Sequence, residues 1–516
     1  MPVLTSIDIL GIQQYVFASN RLRDVVSASW LVHWATSRDG ALQKQADRVL
    51  MAGGGNAFLL FDDEKQARDF AANYTRLLYD EAPGLEALIS HRSFEQGGLA
   101  SAIKDLQKDL AVAKLERTPS VPQLGISVTA ACQITGLPAS GFDPREPRVH
   151  LSRMVLQWRN DVTRKDAEKR WESFLSNKES HEVKWAFPRE IDKMGRSQGE
   201  RSLVGVVHVD GNSVGQAIQE WLDKCVENEL SDHEVRDQLG QWTQAIDKAG
   251  EEALERIVRR TIDAIKYDDK GAPCMDGLIP ELSFNPSQEN HTTLLPLRPV
   301  LLGGDDLTFL CDGRIALDLA EVVLATFERE IPHLGKLSAC AGVAIVHSHF
   351  PFERAYAFAE ELCNSAKQKR RNEDSEASWL DWHIGSPLPG QRIGELRRRK
   401  YKSSAWEFTC RPYRLGEGAQ DIGSWRWLSR TVLGTGENGF RGERWTLHRN
   451  KLKGLIERIR YGPDEIKRVR GSWTVAGLLP WPHGLREDGS LNGRTPLLDA
   501  LELLDIHLPL DGGRNQ

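Results

Sequence analysis

The sequence lacks any apolar run long enough to cross a membrane. None of its 516 residues lies in a stretch that approaches the ~18 consecutive apolar residues of a transmembrane helix. The first eighteen residues carry Asp8 and two glutamines instead of a basic start followed by an apolar segment, which is unlike a secretion signal. We therefore expect a cytoplasmic protein that makes no membrane contact.

Cysteine pairs at metal-binding spacing are also missing. The seven cysteines are widely separated, and no Cys-x-x-Cys pair occurs. This spacing predicts neither a zinc knuckle nor a disulfide framework, so we expect reduced thiols that fill cores. With 40% hydrophobic and 27% charged residues the composition is that of a globular protein, and the length predicts roughly three to four domains.

The chain has no excess of positive charge. Its formal net charge of −6 argues against a protein that coats nucleic acid without sequence preference, because such binding depends on clustered cations that displace counterions. Two local basic segments remain, at 367–371 and 397–402. Each is either a solvated helix face or a contact surface for nucleic acid or a partner protein, and the sequence leaves both open.

The most informative segment that is present is 299–311, in which two apolar strands flank a short turn. Gly303 and Gly304 supply the positive φ that a tight hairpin needs, which places Asp305 and Asp306 at its tip. Adjacent carboxylates at such a tip attract Mg²⁺ or Mn²⁺. Aspartates also form turns for purely structural reasons, which is the alternative interpretation.

A weaker copy of this hairpin lies 250 positions upstream. Gly53 and Gly54 occupy the same places in a turn between two apolar strands, and they are followed by Gly55 and Asn56 instead of two aspartates. The chain is therefore predicted to be a duplication in which the later half keeps its acidic pair and the earlier half keeps only the turn.

Both halves follow the order β-α-β-β-α-β of a split β-α-β fold. We predict an α+β protein with two ferredoxin-like palm domains, a degenerate one at 1–135 and a catalytic one at 201–374. A linker or small helical segment is predicted between them at 136–200. In this topology the first strand of each palm lies beside the hairpin.

Three further regions complete the predicted organisation. Residues 125–133 form a strand candidate, and 267–296, which is rich in glycine and proline, is expected to be a loop-like insertion. For 375–516 we predict a separate, mainly helical domain. This region holds eight of the fifteen tryptophans, which either fill its core or stack on bases.

Asp210 is predicted to join the acidic turn, because it ends the first strand of the second palm. Three converging carboxylates, Asp210, Asp305 and Asp306, suit two divalent ions ~4 Å apart, which lower the pKa of an attacking hydroxyl and neutralise a leaving pyrophosphate. Gly211 and Gly215 follow at the start of the next helix, where the backbone is expected to approach phosphate oxygens.

Nucleotide contacts are predicted around both turns. Lys367, on the last helix of the second palm, is expected to reach a triphosphate as a point charge, and Arg298 precedes the hairpin with a similar role. The alternative for either is an ordinary surface cation. The full set of predicted nucleotide contacts is Gly211, Asn212, Gly215, Gly303, Gly304, Lys367, Arg298, Gly53, Gly54, Gly55 and Asn56.

Together these segments resemble the large polymerase/cyclase subunit of type III CRISPR effector complexes, which has two palm domains related to GGDEF cyclases. The matching stretches, spread over about residues 1–370, are 7–13, 53–56, 210–212, 303–306, 338–342 and 366–367. The resemblance implies that ATP is joined 3′ to 5′ into cyclic oligoadenylate second messengers of antiviral defence. It implies ATP, other defence-system subunits and an activating RNA as partners.

The sequence departs from this family in three respects. It begins directly at the first palm without the usual HD nuclease dyad, so DNA cleavage is not expected. Only Cys132 stands near the place of the usual cysteine knuckle, and Asn212 stands where many relatives have a second aspartate. A stand-alone cyclase and a subunit of an RNA-guided complex both stay open.

Two other functions also stay open. A catalytically silent palm pair would bind nucleotide or RNA and signal to partner proteins. A cyclic dinucleotide synthase would need a homodimer, because only one half of this chain carries the acidic ligands.

Overall fold

The computed structural model describes residues 1–118, 128–176, 184–194, 202–331, 335–388, 390–404, 406–474 and 480–510. The strand predicted at 125–133 lies partly outside this range. Its described part, 128–133, forms one isolated bridge from Ala131 to Pro138 instead of a strand.

The first palm is a four-stranded antiparallel sheet with helices packed against it. Its elements are β1 (Val3–Leu10), α1 (Ile12–Val16), α2 (Leu22–Thr36), β2 (Val49–Gly53), β3 (Asn56–Phe61), α3 (Glu64–Glu81), β4 (Glu86–Ser93) and α4 (Leu99–Glu116). The strand order β2-β3-β1-β4 is the predicted one, with β1 beside the hairpin. Seven of the eight β1 residues are buried, as a central strand covered on both faces requires.

Two helices lie between the palms, α5 (Arg153–Trp158) and α6 (Asp161–Ser176). They follow a pair of two-residue strands, Gly141–Phe142 and His150–Leu151, inside the segment predicted as a linker. Trp158 and Trp171 anchor these helices, because both indoles are fully buried. The small helical segment thus packs onto the core and is not an open tether.

The second palm repeats the architecture of the first. Its elements are β5 (Leu203–Gly211), α7 (Val214–Glu227), α8 (Asp232–Asp263), β6 (Leu297–Gly303), β7 (Asp306–Asp312), α9 (Ala316–Phe327), β8 (Ala339–His347) and α10 (Phe352–Asn372). The strand order β6-β7-β5-β8 matches that of the first palm, strand for strand. The α+β fold class with two split β-α-β units is therefore confirmed.

The insertion at 267–296 is more ordered than predicted. It contains the short strands Pro273–Met275, Gln288–Glu289 and Thr292–Leu294, and the last of these pairs in parallel with Lys184–Ala186. The local sequence predicts a loop because the glycines and prolines of this segment limit each strand to three residues or fewer. Pairing with Lys184–Ala186, a distant segment that no local pattern reveals, orders the last of these strands.

The second sheet continues past residue 374, where the sequence analysis ended the palm. β9 (Trp379–Ile384) pairs in parallel with β8, and β10 (Tyr413–Arg414) pairs with β9. Asp381 and His383 interrupt the apolar pattern of β9, which hid it from sequence analysis. Both side chains are nevertheless buried.

The remaining C-terminal region is mainly helical, as predicted. Its helices are α11 (Ile393–Lys400), α12 (Trp425–Trp427), α13 (Glu443–Thr446), α14 (Arg449–Arg458), α15 (Pro463–Thr474) and α16 (Leu497–Leu503). Seven of the eight tryptophans from residue 375 onward are buried, so they fill a core and offer no stacking platform. No helix within the described ranges has both the length and the apolar character of a membrane span.

His383 on β9 gives the fold a predictable pH dependence. The ring is only 4% exposed, and burial together with Arg411, Lys400 and Arg397 lowers its pKa to about 2. The folded protein thus keeps His383 neutral, whereas the unfolded chain takes up a proton below its ordinary pKa of 6.5. The stability that this neutral ring contributes is complete above about pH 6.5 and declines as the pH falls.

When the pH is lowered from about 7 to 5, we expect the free energy of unfolding of His383→Gln to fall by about 2 kcal/mol less than that of the wild type. Urea unfolding followed by tryptophan fluorescence at both pH values measures this difference. The exposed His233, replaced by Gln, serves as the matched control and should follow the wild type. An identical pH dependence in all three proteins would show that His383 takes up its proton as readily in the folded protein as in the unfolded chain.

Candidate functional site

The two glycine turns meet between the palms. A Cβ placed on Gly303 would lie 2.7 Å from the Cα of Gly54, and one on Gly54 would lie 3.3 Å from the carbonyl oxygen of Gly303. Gly54 and Gly304 have φ values of 59° and 66°, in the left-handed region that glycine tolerates. The duplicated motifs are therefore brought together in space.

Helix α8 packs against both turns. A Cβ on Gly250 would lie 2.4 Å from the carbonyl oxygen of Gly304, so only glycine lets this helix approach so closely. One turn earlier, Asp247 Oδ1 lies 3.4 Å from the Cβ position of Gly304 and 3.7 Å from that of Gly53. Burial and the charges of Glu251 and Asp305 raise the pKa of Asp247 to about 6.

A cavity of about 510 Å³ opens where the turns meet. This volume is within the ~300–1,000 Å³ typical of small-molecule sites. Apolar side chains of α4, α7 and α8 form part of its wall. Its polar and glycine lining from both palms is Ser6, Asp8, Gly53, Gly54, Asn56, Gln107, Lys114, Gly215, Thr243, Asp247, Gly303, Gly304, Asp305 and Asp306.

The three predicted acidic residues lie at one end of the second sheet. Asp210 is the register partner of Asp306, and the backbone N–H of Gly211 donates to the carbonyl oxygen of Asp305 at 3.1 Å. A Cβ on Gly211 would lie 2.6 Å from Asp305 Oδ2, so the missing side chain makes room for this carboxylate. Asp210 itself stands beside the cavity and does not line it.

Burial and neighbouring negative charge disfavour the charged forms of the two turn aspartates. Burial and the charges of Asp210 and Asp306 raise the pKa of Asp305 to about 6, and burial and Asp210 raise that of Asp306 to about 7. The Asp306 side chain is 44% exposed as a whole, but its Oδ1 is shielded from solvent. Among the described residues this oxygen has no hydrogen-bond partner, and His208 Nδ1 lies 3.4 Å from it.

Lys367 reaches back to the acidic cluster from α10. Its Nζ lies 2.5 Å from Asp210 Oδ2 and 3.2 Å from the carbonyl oxygen of Gly211. The lysine therefore neutralises Asp210, which is the carboxylate nearest to it.

The three carboxylates are suitable ligands for a divalent cation, although their side chains are not already arranged around one metal position. No group of three or more His, Cys, Asp or Glu side chains is arranged to hold a metal in the part of the chain that the structure describes. The unpartnered Asp306 Oδ1 and the raised pKa values of both turn aspartates nevertheless show a local excess of negative charge. Carboxylate oxygens are the donors that Mg²⁺ and Mn²⁺ prefer.

Five predicted nucleotide contacts do not line the cavity, and they are Gly211, Lys367, Arg298, Asn212 and Gly55. Arg298 is at the opposite end of β6, five residues or ~16 Å before Gly303. Asn212 is buried and donates from Nδ2 to Ser338 Oγ at 3.0 Å, so it ties two loops together. A Cβ on Gly55 would lie 2.4 Å from Ile12 Cδ1, which assigns Gly55 to core packing.

The first palm contributes two residues that the sequence analysis missed, Asp8 and Lys114. Asp8 on β1 pairs in register with Asn56, as Asp210 on β5 pairs with Asp306. Lys114 on α4 forms an ion pair with Asp8, just as Lys367 on α10 does with Asp210. The duplication carried this signal, because aligning the first strands of the two halves matches Asp8 with Asp210.

Comparison with known proteins agrees with this architecture. Residues 203–375 match the family model of the Cas10/Cmr2 second palm domain. A search of curated proteins finds no match.

Solved structures resemble the whole chain in fold. A Csm1–Csm4 cassette in complex with cA3 aligns with 98% of this chain and 70% of its own at 15% identity and a TM-score of 0.53. The cassette with one ATP gives the same coverage at 16% identity and a TM-score of 0.52. Csm1 in T.onnurineus also gives this coverage, at 13% identity and a TM-score of 0.51.

The four strands β5 to β8, whose order places Asp210 beside the acidic turn, lie within the segment that the family model matches. The resemblance drawn from the sequence is thereby confirmed: residues 203–375 match the Cas10/Cmr2 second palm domain, and the whole chain resembles Csm1 in fold.

Proposed function

We propose that this protein is a metal-dependent nucleotidyltransferase that joins ATP 3′ to 5′ into cyclic oligoadenylates. The observation that carries the proposal is the cavity in which the acidic turn of the second palm meets the glycine turn of the first. Related Csm1–Csm4 cassettes have been solved in complex with ATP and with cA3, which is consistent with such a substrate and product.

The donor nucleotide binds at the second palm. Asp210, Asp305 and Asp306 would hold Mg²⁺ or Mn²⁺, which supplies charge neutralisation for the pyrophosphate and activates the attacking hydroxyl. Lys367 exchanges Asp210 for a triphosphate oxygen, to which it offers a point charge. Apart from its own helix and chain neighbours, no described residue has a heavy atom within 4 Å of the Cβ position of Gly215, so the start of α7 has room for phosphate.

The acceptor nucleotide binds at the first palm. Gly53 and Gly54 let it lie against the backbone, and Lys114 contacts its phosphate, as Lys367 does for the donor. Its 3′-oxygen attacks the α-phosphorus of the donor. The new ester forms there as the bond to pyrophosphate breaks, and repetition followed by ring closure gives the cyclic product.

Product analysis tests this function. The protein is incubated with mixed nucleoside triphosphates and Mg²⁺ or Mn²⁺, with and without candidate activating RNA, while pyrophosphate release is followed and products are identified by mass spectrometry. We expect pyrophosphate and 3′–5′-linked adenylates. Nucleotide binding by calorimetry without product under all conditions favours the silent module. A cyclic dinucleotide with activity that rises with the square of protein concentration favours the homodimer.

Lys114→Met is expected to raise the KM for ATP about tenfold, with a smaller change in kcat. The loss of one charge-assisted contact to phosphate is worth ~1.5–3 kcal/mol, and this contact is made before the chemical step. Steady-state pyrophosphate release over a range of ATP concentrations separates the two constants.

Lys108 provides the matched control for Lys114, because it lies on the same helix and its side chain is 66% exposed. Lys108→Met should behave as the wild type. An unchanged KM in Lys114→Met would remove Lys114 from the acceptor site.

A further inference from the structure

Arg298 is a buried cation without a hydrogen-bond or ion-pair partner among the described residues. Its side chain is 4% exposed, its Nε is shielded from solvent without an acceptor, and its guanidinium carbon lies 5.7 Å from the centre of the Phe187 ring. Burial and Arg189 lower its pKa to about 10, with Glu168 and Glu172 opposing. The group is therefore still charged at neutral pH, and the ring contact leaves its in-plane donors free.

A cavity of about 220 Å³ lies in front of this guanidinium, between α2 and α6. Two acidic side chains line it, Asp161 and Glu168. Six cationic side chains line it as well, and they are Arg23, Arg145, Arg164, Lys165, Arg189 and Arg298. The pocket thus has an excess of positive charge in a protein whose net charge is −6.

Part of this charge is already balanced. Arg23 forms an ion pair with Glu190 at 2.7 Å, and Arg189 forms one with Glu168. Arg164 stands 3.9 Å from Asp24, and its Nε has no acceptor within the described residues. Unbalanced donors therefore converge on the pocket from its buried end.

We propose that this pocket is an anion site, separate from the cavity between the turns, that binds a phosphate group. Arginine is the residue suited to it, because its planar fork donates two parallel hydrogen bonds to phosphate oxygens. The site adjoins a second cavity of about 450 Å³, with which it shares Arg23, Arg145, Arg164 and Arg189. That outer cavity also holds acidic side chains, so the positive excess is confined to the inner pocket.

Thermal stability in the presence of anions tests the site. Inorganic phosphate and pyrophosphate are titrated into the full chain at constant ionic strength, with chloride as the reference. We expect both to raise Tm in the wild type, and Arg298→Met to lose at least half of that rise. Equal Tm shifts in wild type and Arg298→Met would overturn the proposal.

Two further variants keep the test decisive. Arg145 and Lys165 are exposed at the rim, so Arg145→Gln with Lys165→Gln should fold normally and weaken phosphate binding several-fold. Asp305→Ala with Asp306→Ala should leave the phosphate effect unchanged. The test of the anion site is therefore independent of the test of the proposed catalysis. A rim variant with wild-type affinity would count against the site.

The source of the phosphate is resolved by a parallel titration. Binding of a fluorescently labelled single-stranded RNA is measured by anisotropy in the wild type and in Arg298→Met. RNA affinity that falls at least fivefold in the variant assigns the pocket to a nucleic-acid backbone. Unchanged RNA affinity, with a lost pyrophosphate effect, assigns it to a free phosphate or nucleotide. If Arg298→Met keeps both the RNA affinity and the pyrophosphate effect, the proposed site is contradicted.

Discussion

Asp306→Asn is expected to abolish pyrophosphate release, by ~10³-fold or more, and to leave the protein at least as stable as the wild type. The activity falls because asparagine is a poor ligand for a divalent cation and cannot balance its charge. The stability is retained, because burial and the charge of Asp210 already make the ionised form of Asp306 unfavourable in the folded protein. An ordinary core substitution lowers both, so this opposite pair of outcomes is specific to a functional carboxylate.

The sign of the stability effect follows from the pKa. Burial and Asp210 raise the pKa of Asp306 from 3.8 to about 7, so the folded protein holds a proton that the unfolded chain has already lost. The carboxylate therefore costs stability increasingly as the pH rises from about 4 to 7. At pH 8, removing it should stabilise the protein by on the order of 1 kcal/mol, discounted because the side chain is 44% exposed.

Asp69, exposed on α3, provides the matched control, and Asp69→Asn should keep wild-type activity and stability. Urea unfolding at pH 8 and pyrophosphate release measure both quantities. Added Mn²⁺ should stabilise the wild type more than Asp306→Asn. Retention of a tenth or more of the activity would remove Asp306 from the metal site, and a clear loss of stability would contradict the account of charge repulsion.

The parts of this molecule that local patterns specify were predictable from sequence. Strand alternation and the Gly-Gly turns located both hairpins, and the fold topology then placed Asp210 beside Asp306, where their register pairing lies. β9 was missed because buried polar residues interrupt it. Asp381 is stabilised there by Arg397, an ion pair that only the folded chain forms.

The length of an extended strand explains why Arg298 does not lie at the acidic turn, as the sequence had suggested. Adjacency to the hairpin in sequence suggested adjacency to its tip, but an extended strand moves ~3.3 Å with each residue. The five-residue step from Arg298 to Gly303 therefore places Arg298 at the anion pocket and Gly303 at the cavity between the turns. Gly55 shows a second limit, because a glycine that makes room for Ile12 has the same sequence signature as one that makes room for a ligand.

Contact between the palms was the least predictable feature, because it joins residues that lie 249 positions apart. No local pattern reports that Gly54 and Gly303 touch. The close approach itself is what makes one cavity from two half-sites, and it depends on the missing side chain at Gly303. A single methyl group there is therefore a sensitive probe of the assembled site.

Gly303→Ala is expected to reduce nucleotidyl transfer by about 10²-fold while ATP still binds. Gly303 is not among the positive-φ glycines, so alanine fits its backbone, but the new Cβ would lie 2.7 Å from the Cα of Gly54. Backbone cannot rotate away as a side chain can, so the turns must separate. A displacement of ~1 Å between acceptor and donor costs a rate factor of this size.

Kinetics and calorimetry together separate this effect from a loss of binding. kcat should fall in Gly303→Ala while the Kd of ATP at the second palm changes less than about threefold. Gly240→Ala on α8 is the matched control and should retain full activity, because outside α8 no described residue has a heavy atom within 4 Å of its Cβ position. Wild-type kcat in Gly303→Ala would mean that the two turns act independently, since a shared reaction centre requires them to stay in contact.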